Sequence, residues 1–327
     1  MTITRLLWLL LALALPGALL SACGSGGSSA DEGSAAPAPT AAAAIERDPA
    51  NAKVSLTIGS KNFTEQIVLG EIFAQGLEAA GYRVRTELSL GNERAALREL
   101  ESGAIDAYPE YTGTALLSFF GKQPDELPRD PQQAYAEAKR GFAERGLVAF
   151  PPTPFTSSNE VAVTKETADE LSLRTISDLE RHAGELTLAG SPECRQRLDC
   201  LLGLQQVYDL EFGEFTPVPI DERHDVLTSG DADVSIVFTT DPQIQRESEV
   251  LLQDDRRMFP PYNSSLVMRE EVAARAGPDL EPTLTMIQAR LTDENMQELN
   301  ARVDLDGQTP AKVAAAYLTE NGLVPAG

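Results

Sequence analysis

Strand and helix patterns alternate along the chain from residue 54, and this alternation constrains the fold more than any other feature. Short segments rich in β-branched residues predict strands at 54–58, 82–88 and 104–108. Apolar residues that recur on one helical face predict helices at 65–80 and 92–102 between these strands. The order βαβαβ implies a parallel sheet with right-handed crossovers.

A second α/β region follows the first. Strands are predicted at 160–164, 186–189, 216–219 and 234–238, with short helices between them. The remaining C-terminal part has too few strands for a third domain, so we expect it to return and complete the first one.

These patterns predict an α/β protein of two lobes that are joined by two hinge crossings and separated by a cleft. Lobe I is predicted to comprise 51–155 and 256–327, and lobe II 156–255. Ligands of open α/β sheets bind outside the carboxyl ends of the strands, so the interlobe cleft is the predicted binding site.

The N-terminus has the pattern of an exported protein. Residues 6–20 are mostly Leu and Ala, and Cys23 follows small residues, which predicts a signal peptide over 1–22. The apolar run is shorter than the roughly 20 residues of a spanning helix. Cys23 resembles the cysteine of a bacterial lipobox, which implies lipidation and an extracytoplasmic protein anchored to the cell membrane; an ordinary signal with an incidental Cys is the alternative. The composition of 23–50 predicts a flexible tether.

The charge of the chain argues against nucleic acid as a partner. Asp and Glu number 50 against 27 Lys and Arg, and the net charge is −23. So acidic a chain is not drawn to nucleic acid or to anionic lipid headgroups by its overall field. The basic residues are dispersed, without a basic tract, so we predict no nucleic-acid binding.

Two cysteines remain after Cys23, and an exported chain meets an oxidising environment. Cys194 and Cys200 are therefore predicted to form a disulfide. A metal site is the competing interpretation, but His182 and His224 make no recognisable ligand spacing with the two cysteines. We predict no metal site and no cofactor.

Motifs of common enzyme classes are missing from the sequence. The segment after the first predicted strand lacks the GxxxxGK[ST] of a phosphate-binding loop, and neither GxSxG nor HExxH occurs. The sequence therefore favours a binding protein over an exported hydrolase.

Cationic and aromatic residues follow the predicted strands of the first region. Lys61 precedes a helix N-terminus, where its charge and backbone N–H groups suit an anionic group; an exposed surface lysine is the alternative. Tyr108 and Tyr111 lie close together near Thr112 and Thr114, and an aromatic face attracts a cation. We expect Tyr108 to pack in the core.

Four segments together resemble a known family. SKNFTEQ at 60–66, YPEYTGT at 108–114, FTTDPQI at 238–244 and PPYNSSLV at 260–267 are similar to segments of the substrate-binding lipoproteins of osmoprotectant ABC importers, the glycine betaine/carnitine/choline group. The resemblance covers nearly all of 54–325. It implies a type II periplasmic-binding-protein fold, in agreement with the two predicted lobes.

The resemblance also implies a ligand-binding site. In this family a box of tyrosines holds a quaternary ammonium group, while a Lys, a Thr and an Arg hold the ligand's carboxylate. The motifs match Tyr111 and Tyr262 to the box, and Lys61, Thr114 and Arg197 to the carboxylate clamp.

Two positions depart from the family pattern. Asn159 stands where the family usually has a tyrosine, and Phe238 stands where a tyrosine is common. Asn159 would offer hydrogen bonds to a polar ligand, whereas Phe238 keeps the ring without its hydroxyl. The two changes leave the identity of the solute open.

The resemblance implies a monomeric receptor that binds a small zwitterionic or cationic solute and delivers it to an ABC permease and its ATPase. A different small polar solute, or a sensor of the same fold without transport, are the alternatives.

Overall fold

The computed structural model describes residues 44–325. The predicted signal peptide, the predicted lipidation site Cys23 and the tether as far as residue 43 lie outside the described residues. The end of the predicted tether packs against the folded body, because Ile45 contacts the first core and its N–H donates to the Leu323 carbonyl at 2.9 Å. No helix in the described part of the chain is both long and apolar enough to cross a membrane.

The described chain contains ten strands. They are β1 Ser55–Gly59, β2 Arg83–Glu87, β3 Ala107–Tyr111, β4 Leu147–Ala149, β5 Asn159–Val163, β6 Thr187–Gly190, β7 Glu214–Pro217, β8 Val234–Phe238, β9 Val250–Leu252 and β10 Ser264–Arg269.

The same part of the chain contains twelve α-helices. They are α1 Thr64–Ala79, α2 Glu93–Ser102, α3 Thr112–Thr114, α4 Pro131–Ala143, α5 Lys165–Leu171, α6 Leu201–Tyr208, α7 Asp225–Ser229, α8 Gln243–Arg246, α9 Glu270–Ala276, α10 Leu280–Gln288, α11 Asp293–Asp304 and α12 Pro310–Glu320. Short 3-10 turns, including Pro192–Gln196 and Ile220–Glu222, and one π-helical turn at Ala115–Phe119 connect them.

The first sheet has the order β2-β1-β3-β10-β4. Strands β1, β2 and β3 are parallel, as the βαβαβ pattern predicts, and β10 inserts antiparallel between β3 and β4. The C-terminal part therefore returns to complete the first sheet, as expected. Strand β3 begins three residues later than predicted, because Gly103 ends α2 in the left-handed conformation and the Asp106 carboxylate accepts a hydrogen bond from the Thr57 N–H at 2.8 Å.

The second sheet has the order β7-β6-β8-β5-β9. Strands β6, β7 and β8 are parallel, whereas β5 runs antiparallel to both β8 and β9. We call the first sheet with its helices lobe I and the second sheet with its helices lobe II. The exact residue boundaries between the lobes remain a prediction.

Each lobe has its own apolar core. Helix α1 supplies Leu69, Ile72, Phe73 and Leu77 to the core of lobe I, where α10, α11 and α12 also pack. The core of lobe II joins β5, β6 and β8 to α5 and α6. Each sheet is therefore stabilised by its own core, and Phe259 packs against both cores.

The chain crosses between the lobes twice, from β4 to β5 and from β9 to β10, and the crossings touch. Thr156 and Asn263 form an antiparallel bridge, and the Ser157 N–H donates to the Tyr262 carbonyl at 3.2 Å. This paired hinge holds the lobes so that the carboxyl ends of β1, β3 and β8 face a common cleft.

The predicted disulfide is present in lobe II. Cys194 and Cys200 are bonded, with their Cα atoms 5.1 Å apart, and the bond closes the loop that carries Arg197. The loop is further constrained at Gly203, where an added Cβ would lie 1.9 Å from the Leu198 carbonyl oxygen. The two constraints fix the path of the backbone around Arg197.

Removing the disulfide should lower the free energy of unfolding. In the loop-entropy account, replacing both cysteines, Cys194→Ser with Cys200→Ser, should lower it by about 2–3 kcal/mol. Urea unfolding of the oxidised wild type, the reduced wild type and the double variant measures the change. Equal stability of the three samples would show that this loop is held by packing alone.

Candidate functional site

A cavity lies between the lobes at the carboxyl ends of the strands. Its empty space is about 740 Å³, a figure that includes space open to solvent. All seven predicted ligand-binding residues line it, and they come from both lobes: Lys61, Tyr111, Thr114, Asn159, Arg197, Phe238 and Tyr262. The structure thus brings together residues that lie up to 201 positions apart in sequence.

Lys61 enters the cavity from the loop after β1. Its Nζ lies 2.5 Å from Oε1 of Glu110, and the two side chains are almost completely buried. The same ammonium lies 4.4 Å from the centre of the Tyr111 ring. Lys61 is therefore a paired, buried cation and not the exposed surface lysine of the alternative interpretation.

Tyr108 packs in the core, as predicted. Its side chain is inaccessible to solvent, and its hydroxyl donates to Oε2 of Glu110 at 2.9 Å. Tyr108 and Lys61 therefore hold the same carboxylate from two sides, which fixes Glu110 behind the cavity wall.

Tyr111 ends β3 with its ring toward the cavity and its hydroxyl toward α1. The hydroxyl donates to Oε1 of Glu65 at 2.5 Å, and Asn300 donates to the other oxygen of Glu65 at 3.1 Å. Burial raises the pKa of Glu65 although these hydrogen bonds act in the opposite direction. Burial and the neighbouring Glu65 also raise the pKa of Tyr111, so its hydroxyl stays protonated as a donor.

Phe63 is a ring that the motif comparison missed. It stacks against Tyr111 with ring centres 6.3 Å apart, and it meets Phe238 of lobe II at 5.3 Å. The sequence feature that could have identified Phe63 is its position between β1 and α1, where a large apolar residue borders the cleft. Helix α1 begins directly after Phe63, and the Thr64 hydroxyl, which has the chemistry of a helix cap, donates instead to Asp304 at 2.6 Å.

Tyr262 lies in the second hinge crossing and closes the cavity between the lobes. Its hydroxyl donates to Oδ2 of Asp199 at 2.6 Å, and burial together with the Asp199 charge raises the pKa of Tyr262. The ring passes close to Gly113, where an added Cβ would lie 2.9 Å from it and 2.7 Å from Cγ of Pro260. Glycine at 113 therefore allows the Tyr262 ring to reach the cavity.

Arg197 lies on the lobe II side and contacts two carboxylates. Its Nε and one terminal nitrogen donate to Asp199 at 2.8 and 2.6 Å, and its other terminal nitrogen lies 3.1 Å from Oε2 of Glu93 in lobe I. Burial disfavours the charge of Asp199, but the Arg197 charge outweighs it and lowers the pKa of that carboxyl. Arg197 is thus an ion-pair link between the lobes, and Glu93 is a second residue that the motif comparison missed.

Asn159 begins β5 and supports the Arg197 loop. Its Nδ2 donates to the Asp199 carbonyl at 2.9 Å. The side chain that replaces a family tyrosine therefore has a partner within the protein, and it also lines the cavity.

Arg223 is a third missed residue, and it covers a face of Phe238. Its guanidinium carbon lies 4.5 Å from the centre of that ring, and its Nε and one terminal nitrogen donate to Asp241 at 2.9 and 2.5 Å. His224 extends this network, with one ring nitrogen 3.0 Å from Asp241 and the other 2.8 Å from Glu249. Nothing in the sequence around Arg223 forms a motif that would have identified it.

The cavity combines chemical groups that suit a small organic ion. Aromatic rings form one part of its wall, hydrogen-bonding and ion-paired side chains form another, and Ile220 and Ile236 also line it. Across the described residues, no group of three or more His, Cys, Asp or Glu side chains is arranged to hold a metal ion.

Removing the charge of Lys61 should destabilise the fold. Lys61→Met leaves the Glu110 carboxylate buried without its cation, which should lower the free energy of unfolding by about 3–5 kcal/mol. Adding Glu110→Gln should restore much of the loss. Urea unfolding measures both.

The control for Lys61 is Lys165, whose ion pair with Asp169 is exposed to solvent. Lys165→Met should change the free energy of unfolding by about 0.5 kcal/mol or less. If Lys61→Met had no larger effect than Lys165→Met, the buried pair would not stabilise the fold as described.

The His224 network should make stability depend on pH in the alkaline range. Burial opposes the charged imidazolium, but hydrogen bonds to Asp241 and Glu249 outweigh burial and raise the pKa of His224 to about 9. The unfolded chain has a histidine pKa of about 6.5. The stabilisation is therefore complete below about pH 6.5 and is lost as the pH rises through about 9.

Urea unfolding of the wild type at several pH values should show this fall, and His224→Gln should reduce it. His182→Gln, at the other histidine of the chain, is the control and should leave the pH dependence as it is in the wild type. The same pH dependence in wild type and His224→Gln would contradict the assignment.

Comparisons with known proteins agree with this architecture. Residues 54–320 match the family described as the substrate binding domain of ABC-type glycine betaine transport systems. A Pseudomonas aeruginosa protein named glycine-betaine-binding protein is 34% identical over 284 residues, which cover 84% of this chain and 90% of the relative. A Listeria monocytogenes carnitine transport binding protein, OpuCC, is 29% identical over 275 residues, which cover 83% of this chain and 88% of the relative.

A solved structure described as a glycine betaine/carnitine/choline ABC transporter has the same fold. It superposes with a TM-score of 0.65 at 27% sequence identity, and the match covers 82% of this chain and 99% of that chain. The predicted type II periplasmic-binding-protein fold is therefore confirmed. Members of the family bind solutes outside the cytoplasm for transport and are not enzymes. The chain belongs to the family of substrate-binding domains of ABC-type glycine betaine transport systems.

Proposed function

We propose that this protein is the receptor of an ABC importer for a small quaternary-ammonium solute, cationic or zwitterionic, which it binds in the interlobe cavity. The observation that carries the proposal is the meeting of aromatic rings from both lobes at one cavity. Phe63 and Tyr111 reach it from lobe I, Phe238 reaches it from lobe II, and Tyr262 reaches it from the hinge.

A quaternary ammonium group suits these rings for a physical reason. Its methyl groups spread the charge and give it an apolar surface, so it loses little hydration when aromatic faces surround it. A ring face contributes about 0.5–2 kcal/mol to holding a cation, more when water is excluded. Phe238 retains this face without the hydroxyl of the family tyrosine, so it serves the cage as a ring alone.

Lys61, Thr114 and Arg197 form the polar end of the proposed site. They supply hydrogen-bond donors to the part of the solute that lies opposite its ammonium group. Asn159 shapes this end by holding the Asp199 carbonyl and by lining the cavity beside Arg197. The disulfide between Cys194 and Cys200 preorganises the same loop.

Ligand binding is proposed to favour closure of the lobes about the paired hinge. Each lobe contributes part of the cage, so only the closed form surrounds the solute. A dissociation constant near the micromolar range, about −8 kcal/mol, suits a receptor that must also release its cargo.

The proposed receptor works as a monomer at the outer face of the cell membrane. Lipidation at Cys23 and the spacer that follows would keep it near an ABC permease and its ATPase. Labelling cells with a radioactive fatty acid tests the anchor, since Cys23→Ser should abolish incorporation of the label.

One observation favours a second candidate, a different small polar solute. Asn159 replaces a ring of the family cage with an amide, which makes the wall of the cavity more polar at that point. A solute with further polar groups would suit this wall.

Calorimetric titration of the purified protein tests the function. At least one of glycine betaine, choline, carnitine and proline betaine should bind near the micromolar range, whereas ectoine, which lacks a quaternary ammonium group, should bind more weakly. Failure of all four quaternary compounds to bind would remove the proposed ligand class.

Loss of a cage ring should weaken binding. Phe238→Leu should raise the dissociation constant of the bound quaternary compound about 3- to 30-fold, because one aromatic face is lost. Phe215→Leu is the matched control: Phe215 packs under Arg195 on β7, apart from the residues that line the cavity. Equal affinity of the two variants would argue against a role of Phe238 in the cage.

A further inference from the structure

We propose that Glu93 makes this cavity select its solute by charge, so that a quaternary-ammonium cation with an uncharged polar tail binds more tightly than the analogue whose tail is a carboxylate. The inference rests on the proposed function, and it names which quaternary-ammonium solutes the site prefers. It makes Glu93 a specificity-determining residue.

Local structure directs Glu93 into the cleft. Asn92 caps α2 by accepting a hydrogen bond from the Ala95 N–H at 3.1 Å, and Glu93 is the first residue of the helix. The Glu93 side chain is only 4% exposed and lines the cavity. A glutamate that only interacts with the helix dipole can do so at the surface, as the exposed Glu166 does in the first turn of α5.

Glu93 shares its cation with another carboxylate. Arg197 is paired in bidentate fashion with Asp199, and Glu93 contacts the remaining terminal nitrogen of the same guanidinium from the opposite lobe. One positive charge therefore faces two negative charges. The family resemblance assigns Arg197 to a ligand carboxylate, but the negative charges of Glu93 and Asp199 already exceed its positive charge.

The other cations of the cavity are compensated as well. Lys61 is paired with Glu110, and Arg223 is paired with Asp241. Glu193 lines the cavity too, and within residues 44–325 it forms no ion pair with a Lys or Arg. Among the described residues, the three cationic side chains of the cavity wall thus contact four carboxylates, Glu93, Glu110, Asp199 and Asp241, and Glu193 adds a fifth. His224 and Glu249 extend the Arg223 network by one charge of each sign, so the excess of carboxylates is unchanged.

The excess of carboxylates should distinguish solutes that share a trimethylammonium group but differ in the charge of their tails. A carboxylate tail beside Arg197 would lie close to Glu93 and Asp199, and burial leaves such repulsion poorly screened. A hydroxyl tail brings no charge: it donates to Glu93 and accepts from Arg197. The cationic headgroup is attracted by the excess of carboxylates in both cases.

Choline and glycine betaine provide a matched pair for the test, because they share the headgroup and differ in having a hydroxyl or a carboxylate tail. Calorimetric titration should show that the wild type binds choline at least about tenfold more tightly than glycine betaine. Glu93→Gln keeps the size of the side chain and removes the charge, so it should reduce the ratio of the two affinities by about tenfold or more. If Glu93→Gln also weakens lobe closure, that effect lowers both affinities together and does not change their ratio.

Two variants complete the experiment. Glu166→Gln removes an exposed first-turn carboxylate and should leave the ratio unchanged, whereas Glu93→Asp keeps the charge and should retain the preference for choline. The inference is overturned if the wild type binds glycine betaine as tightly as choline. It is also overturned if Glu93→Gln leaves the ratio of the two affinities unchanged. Binding of neither choline nor glycine betaine overturns the inference. The proposed ligand class is overturned with it only if carnitine and proline betaine also fail to bind. If Glu93→Gln fails to fold, the wild-type ratio can still overturn the inference, because without a preference for choline there is no selectivity to assign to Glu93.

Discussion

The contact of Phe63 with Phe238 across the cleft is the interaction on which the account of this molecule depends. One ring follows the first strand of lobe I, and the other ends a central strand of lobe II. Because the two rings meet only when the lobes are close, the proposed cage can form only in the closed arrangement of the lobes. The doubly crossed hinge supplies the alignment, and Tyr262 in one of its crossings adds a further ring.

The cationic side chains around the cavity are held in ion pairs. Buried ions need partners, and Lys61, Arg197 and Arg223 each have a carboxylate in contact. These pairs hold the side chains in place before a ligand arrives, which reduces the ordering required on binding. They also reduce the positive field that a negatively charged tail would meet, which is the basis of the selectivity proposed for Glu93.

Sequence reasoning could predict what local patterns and short motifs encode. The parallel strands of lobe I followed from periodicity, and the disulfide followed from the pair of cysteines that remains in an exported chain. The motifs indicated residues that do line one cavity. The antiparallel insertion of β10 and the partners Glu110, Glu93 and Arg223 depend on tertiary contacts that no local pattern reports. A motif can therefore identify Lys61 as a cation, but only the fold reveals that its charge is already neutralised.

The most direct test of the central claim is a crystal structure of the protein with the quaternary compound that binds most tightly in solution. The ammonium nitrogen should lie between the lobes, within about 6 Å of the ring centres of Phe63, Tyr111, Phe238 and Tyr262. A ligand bound elsewhere, or one held in the cleft with its ammonium group away from these rings, would contradict it.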